Sequence, residues 1–165
     1  MQPLADNLAG AHLPVMTKTT DPAALIPELP AWNEGRGITP GDWISCVGSY
    51  ELAIGYSLIF WPEFVEFNDY IMRAGFEESS LRGFEEMTKG NRRAVEAVMN
   101  HVHIADIHAN VDEYKIEQLR YLGRTLKSIY IVKLRSDFPE RRFKVVFNDE
   151  PELEPTDYEL TFWQE

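Results

Sequence analysis

The densest group of side chains able to do chemistry is the run Asn100-His101-Val102-His103-Ile104-Ala105-Asp106-Ile107-His108. Three imidazoles and a carboxylate are the donor types of a zinc site or of an acid–base pair. Spacing decides whether they can meet. On a helix His101 and His108 share a face, but His103 lies roughly 200° away at 3.6 residues per turn. On a strand His101 and His103 share one face, while Asp106 and His108 share the other. Only a turn inside the run gathers all four, so no metal site is favoured, although His101, His103, Asp106 and His108 are the candidate ligands. His103 and Asp106 also form an i, i+3 pair in which the carboxylate can orient the imidazole as a general base. No nucleophile stands beside them. Cys46 falls in an apolar stretch and is expected to be a buried, inert thiol.

The chain carries no Gly-x-Gly-x-x-Gly, Walker or Gly-x-Ser-x-Gly signature, so no nucleotide or other cofactor is expected. Charge points elsewhere. A net charge of −11 opposes direct binding to a nucleic-acid backbone and favours a basic protein as partner. After Lys144 the chain holds seven carboxylate side chains and no cation. Asp149, Glu150, Glu152, Glu154 and Asp157 form an acidic loop, and Trp163 is a candidate anchor beside it. The segment 133–144 is basic and could neutralise this loop if the two lie together.

In composition alone the chain resembles acidic immunity and inhibitor proteins that cover a basic partner. The leading expectation is therefore a non-enzymatic interaction module. A metal-dependent or acid–base enzyme built on His101–His108 is one alternative. The other is an adaptor or subunit that docks through a proline-rich arm, with self-association left open.

These residues need a scaffold, and hydrophobic periodicity predicts an α+β one. Helices are expected over 40–60, 77–88, 92–107 and 112–136, and strands over 64–67, 70–73, 142–148 and 158–164, joined in one antiparallel sheet of about four strands. Thr39, Pro40 and Asp42 give a helix start, and Asn68-Asp69 suits the tight turn of a hairpin. Six prolines in the first forty residues predict an arm over 1–38, followed by one domain over 39–165. Leu25, Ile26, Leu29 and Trp32 should dock its later half.

The stretch from Trp43 to Trp61 contains one charged residue, Glu51, and is expected to be a buried core helix. A membrane span is not expected, because polar residues interrupt it and no cations flank it. One cysteine, and an amino terminus without a secretory pattern, predict a reducing cytoplasm.

Overall fold

The computed structural model describes residues 20–108 and 113–165. Its fold class is α+β: among the described residues there are five α-helices and two antiparallel sheets. Helices α1 (Pro40–Val47) and α2 (Tyr50–Phe60) are followed by a hairpin of β1 (Phe64–Phe67) and β2 (Tyr70–Arg73). Next come α3 (Glu78–Met87), α4 (Arg92–Met99), the short β3 (Val102–His103), α5 (Ile116–Asp137), β4 (Phe143–Phe147) and β5 (Glu159–Gln164). The expected start of α5 at 112 lies outside the described residues. No described helix is long and apolar enough to cross a membrane.

Local chemistry explains the ends of these elements. Thr39 and Asp42 form a reciprocal capping box at α1, with Asp42 N–H donating to the Thr39 hydroxyl at 3.2 Å. The Asn91 side chain caps α4 by accepting from Ala94 N–H at 3.1 Å. In the hairpin, Asn68 and Asp69 have φ of 50° and 66°, the left-handed pair that a two-residue turn of this twist requires. That turn sets Phe67 opposite Tyr70 and Phe64 opposite Arg73.

The expected single helix 40–60 is two helices. Gly48 adopts extended angles and donates to Ile44 O at 2.8 Å, closing α1, while the Ser49 hydroxyl accepts from Leu52 N–H and starts α2. A Cβ on Gly48 would sit 2.6 Å from Ile44 O, so the glycine serves the break rather than packing against another element. The pair is not a core helix either, since neither α1 nor α2 contains a buried residue. Cys46 is correspondingly exposed, contrary to expectation.

The predicted single sheet is likewise divided. The hairpin stands alone, and the second sheet has the order β3-β5-β4. Asn100 and Glu96 of α4 cause the division. Both are fully buried. The Glu96 carboxylate accepts from Ile71 N–H at 2.8 Å, from Gln164 N–H at 2.7 Å and from the Gln164 side-chain amide. The Asn100 amide donates to Ile71 O at 2.9 Å and Phe162 O at 3.2 Å and accepts from Arg73 N–H at 3.2 Å. Side chains of α4 thus satisfy backbone groups on the facing edges of β2 and β5, which would otherwise need to pair with each other.

The same contacts end α4 at Met99, short of the expected 107, because Asn100 turns inward and the chain continues as β3. Val102 and His103 then pair with Leu160 and Glu159, and a single 3-10 turn follows at Ile104–Ile107.

Two apolar clusters flank this seam. Tyr70 and Met72 pack with Leu81 of α3 and Val95 of α4, while Phe64 and Ile71, on the other face of the hairpin, join the larger core of α5, β4 and β5. In that core Gly123 of α5 abuts the ring of Phe147, where a Cβ would overlap the ring carbons. The 20–38 segment folds as two 3-10 turns, buries Leu29, and accepts a bond from the Gln118 side chain at Leu25 O, at 2.7 Å.

Removing the buried acceptor in Glu96→Ala leaves its backbone donors without partners and is expected to cost about 3–5 kcal/mol in chemical denaturation. An intact midpoint would remove Glu96 from the seam. Gly123→Ala is expected to destabilise by about 1–3 kcal/mol through overpacking, checked by the same titration.

Candidate functional site

The turn needed to gather the histidine run exists, yet it disperses the side chains. His101 donates from Nδ1 to Val98 O, at the end of α4. His103 donates from Nδ1 to Thr156 O at 2.6 Å and lies 4.0 Å from the Glu159 carboxylate. These two rings meet edge to face with centroids 5.0 Å apart. His108 turns the other way, its Nε2 sharing a hydrogen with the Tyr56 hydroxyl of α2 at 2.6 Å. Asp106 is exposed in the 3-10 turn. Among the described residues no three His, Cys, Asp or Glu side chains converge as a metal site would require. The carboxylate placed nearest His103 is Glu159, not Asp106.

The acidic loop between β4 and β5 is partly neutralised, although not by the 133–144 segment. Arg124 of α5 holds Asp149 at 2.8 Å, and Arg120 donates to Glu150 O at 3.3 Å while lying over the Tyr158 ring. Lys133 pairs instead with Asp137 inside its own helix, and Arg141 pairs with Glu66 of the hairpin. Glu150, Glu152, Glu154 and Asp157 remain exposed. Trp163 does not join this loop. It is half-buried on the outer face of β5, beneath the Arg93 guanidinium at 4.7 Å and opposite Lys144.

The most exposed apolar surface is one that the sequence reading assigned to the core. Tyr50 is 88 % exposed, Ile54 64 % and Leu58 68 %, with Ile44, Val47 and Leu52 also open. The far end of α2 secures the pair: Ile59 and Phe60 pack on the main core, Tyr56 reaches His108, and Trp61 lies 5.1 Å from Lys133 Nζ. Across 20–63 the charged residues are Asp21, Glu28, Glu34, Asp42, Glu51 and Glu63 against Arg36 alone. A bond from its own backbone N–H and one from the Ser49 hydroxyl hold the Glu51 carboxyl below its usual range, so it is charged at neutral pH.

The helix pair is therefore apolar along its exposed side chains and carries Asp42 and Glu51 as its charged residues. Monomeric proteins rarely expose contiguous apolar patches of this kind unless something docks on them.

Comparison with family models, curated proteins and solved structures finds no match for this chain.

The Tyr56–His108 bond ties α2 to the body. Tyr56→Phe is expected to speed amide exchange in the last turns of α2 roughly two- to tenfold, the effect of losing one hydrogen bond. Unchanged exchange, followed residue by residue by NMR, would show that Ile59 and Phe60 hold the helix alone.

Proposed function

We propose that this protein is a non-enzymatic interaction module that binds a partner protein having an apolar groove with a basic rim. The observation that carries the reading is the α1–α2 pair, whose Ile54 and Leu58 are more than half exposed on helices that contain no buried residue. Burying such side chains yields about 1.5–3 kcal/mol each, which is the scale of an interface hot spot.

Carboxylates set the choice of partner. Asp42 and Glu51 on the helix pair, together with Glu150, Glu152, Glu154 and Asp157, give an encounter with a basic protein a long-range attraction and oppose approach of a nucleic acid. In this reading the chain acts as the acidic immunity and inhibitor proteins do, with apolar helices supplying the affinity and acidic residues the steering.

The test is capture of proteins from lysate of the native host by the tagged full chain and by Ile54→Glu/Leu58→Glu, at low and high salt, with mass spectrometry. The double variant should keep its thermal midpoint, because both positions are exposed, and should lose a stoichiometric basic partner that the wild type retains. Neutralising Asp149, Glu150, Glu152 and Glu154 should weaken capture at low salt without abolishing it. Equal capture by wild type and the double variant would overturn the reading.

A further inference from the structure

A second surface, of opposite sign, lies along the outer edge of β4. We infer that this edge binds an acidic peptide in extended conformation, added to the β3-β5-β4 sheet as a fourth strand. Strand order places β4 at the end of the sheet, with β5 on one side and, among the described residues, no strand on the other. The phase of its hydrogen bonds is fixed by Arg142 O, which accepts from Glu165 N–H at 3.0 Å, and by Asn148 N–H, which donates to Glu159 O at 2.9 Å. In an antiparallel ladder the residues that bond inward alternate with those that bond outward. Lys144 and Val146 therefore pair with β5, whereas Phe143, Val145 and Phe147 direct their N–H and C=O groups away from it, and Phe143 and Val145 line the cleft beside α5. None of these six groups has a backbone partner outside its strand among the described residues.

The side chains around the edge specify the peptide. A cleft of about 500 Å3 runs between β4 and α5, lined among others by Lys127, Arg135, Arg142 and Lys144. A second, of about 520 Å3, adjoins it at Lys144 and is lined by Arg92, Arg93 and Trp163. Glu165 is the carboxylate residue that lines these clefts. In a chain of net charge −11, these six cations have no carboxylate within 4.0 Å among the salt bridges of the described residues.

A lone lysine on an edge strand is a common device against unwanted pairing. Lys144 alone would fit that role, but Lys127 and Arg135 would not, because they lie on α5 and line the same cleft as Arg142 and Lys144. Lys127 and Arg135 are separated by roughly 12 Å along α5 at 1.5 Å per residue. Residues four apart on an added strand are separated by roughly 13.5 Å. Acidic residues at alternate positions of one face can therefore meet both cations.

A single-stranded nucleic acid fits less well. It would need aromatic faces on which bases could stack, and the face of Trp163 is covered by Arg93. It would also leave the outward N–H and C=O groups of β4 unmatched, whereas an extended peptide pairs them.

The test uses the full chain and a nine-residue acetylated peptide alternating glutamate and valine, with a twelve-residue oligothymidine as comparison, followed by fluorescence anisotropy and amide exchange. The peptide should bind with slowed exchange at Phe143, Val145 and Phe147. Of two peptides N-methylated at alternate residues in opposite phase, one should bind at least tenfold more weakly and the other within about threefold, since only one set of N–H groups faces β4. Lys127→Glu/Arg135→Glu, at partly or fully exposed positions and with circular dichroism as the folding control, should also weaken binding at least tenfold. Equal loss or equal retention by the two methylated peptides would overturn strand addition. So would binding of oligothymidine in preference to the peptide, or no peptide binding at millimolar concentration.

Discussion

Glu96 and Asn100 hold the molecule together at one seam. A buried carboxylate on α4 and a buried amide at its C-cap, one helical turn apart, bond to the backbones of β2 and β5 and join two sheets that share no strand pairing among the described residues. Buried polar groups of this kind are costly unless satisfied, and here the contacts with Ile71, Arg73, Phe162 and Gln164 satisfy them. The network extends outward, since the Gln164 side chain also reaches Asp69 O at 2.8 Å and accepts from Arg141, which in turn holds Glu66. The hairpin's orientation therefore depends on α4 and on the last residues of β5. With the hairpin set, Phe64 and Ile71 enter the larger core and Tyr70 and Met72 the smaller one.

The core is complete without α1 and the first turns of α2, which explains how so apolar a segment can lie outside it. Its buried cluster is assembled from the hairpin, α5, β4, β5 and the turn after β3. Ile59, Phe60 and the Tyr56–His108 bond anchor the end of α2, and the side chains of its outer turns stay exposed. Charge is segregated as well. Exposed carboxylates are concentrated in the loop before β5, while Lys127, Arg135, Arg142 and Lys144 line the cleft between β4 and α5.

Much of the backbone was legible in the sequence, where short-range chemistry decides. Thr39-Pro40 and Asn91 announced helix starts through capping, Asn68-Asp69 announced the hairpin and its register, and alternation marked β4 and β5 to within a residue at each end. Errors arose where one segment could satisfy two rules. The apolar periodicity of 40–60 describes a helix equally well whether its surface meets a core or a partner, and Gly48-Ser49 reads as a tolerated pair in one helix or as the end and cap of two. The histidine run carried the right residue types for a metal, but ligands need convergence in space. The rise from α4 into β3 and the 3-10 turn sends His101 and His103 to one side and His108 to the other. Trp163 looked like a companion of the acidic loop because it follows it in sequence, whereas its place on β5 sets it beneath Arg93.

What the sequence by itself determined was the α+β class, most element positions, the charge imbalance and the exclusion of familiar phosphate-binding and serine-hydrolase signatures, because these depend on residue type and on spacing over a few positions. Only the tertiary structure decided, among the described residues, which apolar faces are covered, which cations have a carboxylate partner and which strand ends the sheet. Those properties depend on what the rest of the chain brings alongside. The buried Glu96 shows the difference: in sequence it is one glutamate among many on an amphipathic helix, and only when the edges of β2 and β5 close on it does it become the acceptor that joins the two sheets.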